Sequence, residues 1–250
     1  MWTTIPTGQW LLIAGATGGT GRELVELLSP RALTVRCLTR SANNREALEA
    51  RGADEVVVGD LFESTDADRA TAGFDHVLSA VVSSPLAVVG ADESVDGLGT
   101  RRLLSAAVDN GAETFVMESA LGVGDGPTSL VGSAFNLFIR PIQRAKAEAE
   151  AAIRDAPIQH TIFRPGVLTA GSRSGDVQVA PPGERLWGTV SRADVARLMA
   201  AAPSTPAAAE ATFGGGPEST SRGPLDRGRV AAPGRLTRRC GRLRIFGIAV

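Results

Sequence analysis

The chain has 250 residues, of which 43% are hydrophobic, and its formal net charge is −1. That content supplies the core of one large α/β domain, whereas no apolar run approaches the roughly 20 residues of a membrane-spanning helix. The only cysteines, Cys37 and Cys240, exclude a disulfide framework, and with two histidines they leave too few soft ligands for a zinc site. Because the N-terminus also lacks the charged flank and apolar segment of a secretory signal, we expect a cytoplasmic protein.

The basic residues are unevenly distributed along the chain. Residues 215–250 contain eight arginines against Glu218 and Asp226, so residues 1–214 carry 18 basic and 25 acidic side chains. An acidic body argues against a nucleic-acid-binding face on the globular part. We therefore expect a domain over residues 1–214 and a basic, disordered tail over residues 215–250. That tail is either solvated or in contact with nucleic acid or anionic lipid.

The first predicted elements are a strand, a glycine-rich turn and a helix. The apolar run Leu11–Ala14 stops at small residues, and Arg22–Leu28 spaces its apolar side chains as a helix does. Glycines stand between them at G-x-x-G-x-x-G spacing, which suits a tight turn, the approach of a pyrophosphate to bare backbone, and close packing of helix on strand. A simple turn is the alternative. The predicted dinucleotide-binding residues are Gly15, Ala16, Thr17, Gly18, Gly19, Thr20 and Gly21.

Charged residues follow the second and third predicted strands, Leu33–Leu38 and Glu55–Val58. In a dinucleotide-binding fold the end of the second strand meets the adenosine ribose, where an arginine accommodates the 2′-phosphate of NADP. Arg40 therefore favours NADP(H) over NAD(H), with a solvated arginine as the alternative. Asp60 is a candidate for contact with the adenine edge, although an aspartate in such a loop is also a common helix N-cap.

The remaining predicted strands and helices alternate along the chain. Residues 166–188 are predicted as loop-rich, substrate-side elements, and Ser191 is predicted to cap a further helix with Asp194 at its third position. This alternation is typical of a Rossmann-type, doubly wound parallel α/β sheet with a small C-terminal substrate-side region. The strands are predicted at 74–82, 114–117 and 159–163, and the helices at 97–109 and from 137 or 141 to 154.

Seven short motifs lie in order over about residues 8–214, namely Gly15–Gly21, Leu38–Arg40, Gly59–Leu61, Ser119–Gly122, Lys146–Glu148, Phe163–Gly166 and Ser191–Ala196. As a set they resemble the motifs of the atypical short-chain dehydrogenase/reductases, specifically the NmrA-like, NAD(P)-binding group. The resemblance implies a Rossmann fold with an NADP(H) site. It implies nothing about residues 215–250.

The resemblance also implies a catalytic set, of which this chain has only a part. Active members use a Tyr-x-x-x-Lys pair and a serine or threonine after the fifth strand; the tyrosine exchanges a proton, and the lysine lowers its pKa and holds the nicotinamide ribose. Lys146 matches the lysine, but Ile142 stands four residues earlier and the chain has no tyrosine. Ser119 or Ala120 occupies the serine position. The catalytic candidates are Ser119 and Lys146, and Lys146 is interpreted as a ribose-binding residue, with an ordinary surface lysine as the alternative.

Two functions of different classes follow from these residues. The first is an NADPH-dependent oxidoreductase that passes hydride to a small electrophile, such as a quinone, flavin or carbonyl compound, with the proton supplied by water or by the substrate. The second is a non-catalytic NADP(H)-binding redox sensor or regulator of the NmrA-like kind, which the missing tyrosine favours. Sugar-nucleotide epimerisation needs the tyrosine and is disfavoured. The sequence does not identify the substrate, and we expect a monomer or homodimer.

Overall fold

The computed structural model describes residues 5–83, 94–123, 133–174, 176–180, 188–216 and 243–246. In chain order its strands are β1 (Trp10–Ala14), β2 (Thr34–Thr39), β3 (Glu55–Val58), β4 (His76–Ser79), β5 (Thr114–Glu118), β6 (Gln159–Pro165), β7 (Val167–Thr169), β8 (Asp176–Ala180), β9 (Thr189–Ser191), β10 (Ala211–Gly216) and β11 (Leu243–Phe246). Its α-helices are α1 (Gly19–Leu28), α2 (Arg45–Glu49), α3 (Ser64–Thr71), α4 (Thr100–Asp109), α5 (Ser133–Asp155) and α6 (Arg192–Ala201).

Nine of these strands form one sheet in the order β11-β8-β10-β6-β5-β4-β1-β2-β3. In this spatial order the seven strands between β10 and β3, both included, are parallel to one another. The strands β8 and β11 extend the edge beyond β10 in antiparallel pairing. Seven parallel strands flanked by helices make a Rossmann-like α/β fold, so the predicted fold class is confirmed. The strand order reverses between β1 and β4, and such a reversal opens a crevice at the carboxyl ends of the strands.

The sheet is buried on both faces, which is why its central strands are continuously apolar. Successive side chains of β1 point to opposite faces. Leu11 and Ile13 pack in one core with α1 and α6, whereas Leu12 packs in a second core with α3, α4 and α5. Helices on both faces thus fix the carboxyl end of β1, where the glycine-rich turn begins.

Two segments of the parallel sheet differ from the sequence-based expectation. The fourth strand was expected over residues 74–82, but β4 ends at Ser79. Ala80 still donates its N–H to the Ala14 carbonyl at 2.9 Å. Because β1 ends at Ala14, the residues after Ala80 no longer have β1 as a pairing partner. The strand β10 was not predicted, because its Gly-rich sequence lacks a strand pattern; it pairs with both β6 and β8.

The C-terminal part of the chain contains more strands than expected. The region 166–188, predicted as loop-rich, includes β7 and β8. The alternation of Val177 and Val179 in β8 is a period-two signal typical of a strand. The four residues of β11 lie within the expected disordered tail and pair with β8. Residues 217–242 and 247–250 of that tail lie outside the described residues. In the described ranges no helix is long and apolar enough to cross a membrane.

Candidate functional site

A cleft of about 400 Å³ opens at the carboxyl ends of β1 to β5, where the strand order reverses. This is the position at which doubly wound sheets bind ligands. The glycine-rich turn forms its floor, and β7 and α6 each contribute one side chain to its wall. Its charged lining residues are Arg40, Glu118 and Arg192, and its apolar lining comes from Leu38, Leu61, Val81, Val82, Val95 and Leu168.

The glycine-rich turn has the geometry of an anion cradle. Gly15 has a φ of +80°, and a Cβ atom there would overlap the backbone of Ala80. Gly18 donates its N–H to the Gly15 carbonyl at 2.9 Å, which closes the turn. A Cβ atom on Gly21 would overlap the same Gly15 carbonyl. A side chain at Gly15 would push the turn away from the backbone after β4, and one at Gly21 would push α1 away from the turn.

The first turn of α1 offers free backbone donors to this cradle. The helix begins at Gly19, and its N-cap residue, Gly18, has no side chain to accept a hydrogen bond. First-turn N–H groups have no partner within a helix, and together with the helix dipole they bind phosphate. Gly15, Thr17, Gly18, Gly19 and Thr20 line the cleft. The arrangement therefore fits the pyrophosphate of a dinucleotide.

Two of the seven predicted loop residues do not line the cleft. Ala16 is fully buried in the core beneath the turn. Gly21 lies against Gly15, where its lack of a side chain permits the close approach of α1 to the turn. Both residues thus shape the cradle through packing rather than through contact with a ligand.

Arg40 and Asp60 follow β2 and β3 beside the cleft but differ in exposure to it. Arg40 is exposed and lines the cleft at the end of β2. The Asp60 carboxylate instead accepts a hydrogen bond from the Phe62 N–H at 3.0 Å and turns its own loop. Its neighbours Gly59 and Leu61 line the cleft, whereas Asp60 does not. Asp60 is not a helix N-cap either, since Glu63 holds that position in α3.

Lys146 is buried and does not reach the cleft. Its side chain is 3% exposed, and its Nζ lies 3.0 Å from the carboxylate of Asp96, which is fully buried. The same Nζ donates to the backbone carbonyls of Glu118 at 3.3 Å and Val81 at 3.5 Å. The alternative of an ordinary surface lysine is therefore wrong. Lys146 thus links the carboxyl end of β5 to the segment that follows β4. Its two backbone partners, Val81 and Glu118, line the cleft, whereas Lys146 lies behind them.

Ser119 is also held away from the cleft. Its hydroxyl donates to the Glu150 carboxylate at 2.6 Å. Glu150 is fully buried and also accepts from the guanidinium of Arg164, at 3.0 and 2.6 Å, and from Arg154. The two catalytic candidates are therefore each engaged with a separate buried carboxylate, Glu150 for Ser119 and Asp96 for Lys146.

Glu118 lines the cleft, although the sequence did not single it out. It is 2% exposed at the end of β5, and the Thr20 hydroxyl donates to its carboxylate at 2.9 Å. Burial raises the pKa of the Glu118 carboxyl, and the hydrogen bond from Thr20 and the charges of Lys146 and Arg192 act in the opposite direction. An acidic residue that ends the apolar strand Thr114–Met117 was the available signal.

Arg192, the first residue of α6, also lines the cleft. In the sequence it belongs to the motif Ser191–Ala196, which predicts the start of a helix but no role for the arginine. Among the residues that the structure describes, no cluster of His, Cys, Asp and Glu could hold a metal ion. The polar groups that the described residues present to the cleft are thus backbone N–H groups, hydroxyls, the guanidinium groups of Arg40 and Arg192, and the carboxyl group of Glu118.

Comparison with known proteins bears on this cleft. A family described as NAD(P)H-binding matches residues 15–206. The chain is 31% identical to an NAD(P)H azoreductase of Xenophilus azovorans over 157 residues, which are 62% of this chain and 47% of that one. It is 28% identical to YhfK of Bacillus subtilis, called an uncharacterized sugar epimerase, over 76% of this chain and 86% of that one.

A solved structure from Bacillus halodurans, provisionally assigned as an NAD-dependent epimerase/dehydratase, superimposes with a TM-score of 0.73. It is 28% identical in sequence, and the match covers 83% of this chain and 94% of that chain. The matched residues, 15–206, include the glycine-rich turn, the strands β2 to β6, and α6. The cleft and the family match thus involve the same part of the molecule.

Proposed function

The chain belongs to the NAD(P)H-binding family, among atypical short-chain dehydrogenase/reductase and epimerase-like proteins, and we propose that it is an NADPH-dependent oxidoreductase acting on a small electrophile. The observation that carries this proposal is the cleft itself, in which a glycine cradle, a free helix N-terminus and Arg40 lie along one path. When bound, NADPH supplies a hydride. The acceptor class comprises quinones, flavins and carbonyl compounds, and the azoreductase relative adds azo compounds to it.

Preference for NADP(H) over NAD(H) is part of the proposal and rests on Arg40. A guanidinium can form two parallel hydrogen bonds with a 2′-phosphate, whereas NAD(H) offers a neutral hydroxyl there. Within the described chain no carboxylate lies within ion-pair distance of Arg40, so its charge is available to a ligand. Asp60 contributes by shaping the loop whose neighbours, Gly59 and Leu61, line the adenosine end.

Reduction also requires a proton, and the chain has no tyrosine to donate it. We propose Glu118 as the donor, since it is the carboxyl group among the described lining residues and its burial favours the protonated form. Lys146 and Ser119 enter the proposal as positioning residues. Lys146 holds the carbonyls of Val81 and Glu118 in place, and Ser119 ties the end of β5 to Glu150. Epimerisation, suggested by the names of two relatives, is disfavoured by the missing tyrosine.

A second candidate function is a sensor that binds NADP(H) without turnover. The observation in its favour is that Lys146 and Ser119, the two family-type catalytic candidates, are both engaged with buried carboxylates. For either function we place the protein in the cytoplasm, where a buried free thiol such as that of Cys37 stays reduced.

An absorbance assay of NADPH oxidation distinguishes these two functions. The acceptors are a benzoquinone, a flavin, an azo dye and an aldehyde, each tested separately. The oxidoreductase proposal predicts acceptor-dependent oxidation of NADPH by the intact chain. Glu118→Gln should lower that rate and abolish its fall at high pH, where the proton donor is lost. Glu113→Gln, which changes an exposed carboxyl just before β5, should do neither. Absence of turnover with every acceptor, together with retained binding of NADPH and NADP⁺, would support the sensor.

A further inference from the structure

Arg192 lies directly on the glycine-rich turn. A Cβ atom built on Gly19 would overlap the Cδ and Nε atoms of Arg192 and lie 3.3 Å from its Cζ atom. The arginine is the first residue of α6, and Gly19 is the first residue of α1. A cation from the C-terminal part of the domain is therefore in contact with the N-terminus of α1, at the floor of the cleft.

The position of Arg192 is fixed by the cap of its own helix. The Ser191 hydroxyl accepts a hydrogen bond from the Asp194 N–H at 3.0 Å and donates to the Asp194 carboxylate at 2.8 Å. That carboxylate also accepts from the N–H and hydroxyl of Ser174, at 2.9 and 2.7 Å. Because Ser191 and Asp194 are both buried, the start of α6 has one well-defined place against the turn.

The guanidinium of Arg192 has no carboxylate within ion-pair distance among the described residues. Other partly buried arginines of this domain do: Arg164 pairs with Glu150, and Arg36 pairs with Glu55. Arg192 is half-buried and lines the cleft. The nearby Glu118 carboxyl is not a full counter-charge, because burial favours the neutral form of Glu118. A half-buried cation without a carboxylate, laid across a phosphate-type cradle, is suited to an anionic ligand.

We propose that Arg192 binds the pyrophosphate of the dinucleotide and holds it against the N-terminus of α1. The proposal rests on the cofactor-binding part of the proposed function and adds a residue from the far end of the domain to it. The backbone donors of α1 would contact the phosphate oxygens from one side and the Arg192 guanidinium from the other. The cofactor would thereby join the glycine-rich turn to the C-terminal region that carries β7 and α6.

The same geometry explains the glycine at position 19. Gly19 is not among the residues with positive φ, so the turn itself does not require a glycine there. Alanine would favour the first turn of a helix over glycine, but its Cβ atom would displace Arg192. Gly19→Ala should therefore weaken cofactor binding in the same way as loss of the arginine, by moving the guanidinium off the cradle.

Arg192 and Arg40 make different predictions for ligand specificity. NADPH, NADH and ADP-ribose all contain a pyrophosphate, so a residue that binds this group contacts all three. Arg192→Ala should therefore weaken the binding of all three by a similar factor. Loss of a charge-assisted pair of hydrogen bonds predicts about a tenfold or larger increase in Kd. Binding of 2′-AMP, which has no pyrophosphate, should change by less than about twofold.

Equilibrium titrations of the full chain with these four ligands test the proposal. Arg22→Ala is the matched control, because Arg22 is an exposed arginine of α1 that does not line the cleft. We expect parallel losses for NADPH, NADH and ADP-ribose in Arg192→Ala and in Gly19→Ala, and no such loss in Arg22→Ala. Thermal unfolding of each variant checks that it is folded, and Arg192→Lys, which keeps the charge without the fork, should give an intermediate Kd.

Three results would overturn the proposal. The first is an unchanged Kd for NADH and ADP-ribose in folded Arg192→Ala. The second is an equal loss in Arg22→Ala, which would indicate a general effect of net charge. The third is an equal loss for 2′-AMP, which would indicate a distorted cleft. Failure of the wild-type chain to bind any of the dinucleotides would instead overturn the cofactor-binding part of the proposed function, and the role of Arg192 with it.

Discussion

At the scale of single residues, the charged groups of this domain fall into two sets with different partners. Lys146 and Glu150 are buried and satisfied by opposite charges behind the cleft. Arg40, Glu118 and Arg192 face the cleft itself. Buried charges need partners because desolvation is costly, whereas charges that face a ligand site remain available. The second set therefore carries the proposed recognition and proton transfer.

Reversal of charge at Arg40 tests the preference for NADP(H). Arg40→Glu should weaken NADPH binding by about 2 kcal/mol or more, since it removes a charge-assisted contact and adds a like charge. NADH binding should change by well under 1 kcal/mol, which fluorescence titration of both cofactors measures. Arg45→Glu, an exposed reversal on α2, is the control. Equal losses for NADPH and NADH in Arg40→Glu would contradict the assignment.

The buried carboxyl of Glu118 predicts a pH dependence of stability. Because burial raises its pKa, the native state keeps this proton at pH values where the unfolded chain has lost it. The native state then binds more protons, so the free energy of unfolding falls as pH rises through the interval between the two pKa values. Glu118→Gln removes this titration. It should be more stable than wild type at neutral pH and similar to it near pH 4, where both states of the wild type are protonated.

Urea unfolding of both proteins between pH 4 and pH 8 measures this difference. Glu113→Gln again serves as the exposed control and should follow the wild-type curve. A Glu118→Gln variant that loses stability relative to wild type as pH rises would mean that the native pKa of Glu118 is lowered, contrary to the burial argument.

Lys146 gives a prediction about stability rather than chemistry. Lys146→Ala leaves the fully buried Asp96 carboxylate without its cation and frees two backbone carbonyls. We expect a loss of about 3–5 kcal/mol in the free energy of unfolding. Arg144→Ala, two residues away in an exposed pair with Glu148, should cost at most about 0.5 kcal/mol. A loss of less than about 1 kcal/mol in Lys146→Ala would show that the pair is not structurally important.

At the scale of elements, the strand–turn–helix at the start of the domain was the most predictable part of the chain. Its apolar strand, glycine spacing and helical periodicity all agree with one local structure. The later strands β7 and β10 are short or glycine-rich, and their pairing with other strands decides their conformation. The strand β8 has alternating valines, but it pairs with β10 and β11 at the edge of the sheet. Local pattern thus predicted the cradle, and tertiary contact decided the edge of the sheet.

The cap of α6 links an element to the site. Ser191→Ala removes the hydroxyl that accepts from the Asp194 N–H and should cost about 1 kcal/mol of stability. Because Arg192 follows the cap directly, the same variant should also weaken NADPH binding. Ser105→Ala, an exposed serine of α4, is the control for both readouts. Lost stability with unchanged NADPH affinity would separate the cap from the placement of Arg192.

At the scale of the whole molecule, the cleft brings together residues that are far apart in sequence. The glycine-rich turn, Arg40, Glu118 and Arg192 come from four different elements. The sequence identified the first two because their motifs are local to a strand end. For Glu118 the sequence offers only an acidic residue at a strand end, and for Arg192 it offers no signal. Their approach to the turn depends on the contact of Glu118 with Thr20 and on the packing of α6 against α1.

The engagement of Lys146 and Ser119 likewise could not be foreseen from spacing. Their partners, Asp96 and Glu150, belong to the π-helical turn Val95–Gly99 and to α5, and no motif connects these residues to the two candidates. The sequence motifs place Ser119 directly after β5 and Lys146 on the helix α5, which follows it in the chain. Side-chain packing then decided that they turn away from the cleft.

A crystal structure of the full chain with NADPH tests the central claim most directly. We predict the pyrophosphate between the first-turn N–H groups of α1 and the Arg192 guanidinium, with the 2′-phosphate at Arg40 and the nicotinamide toward Glu118. A dinucleotide bound away from the glycine-rich turn, or bound there with its adenosine end toward Glu118, would contradict the account.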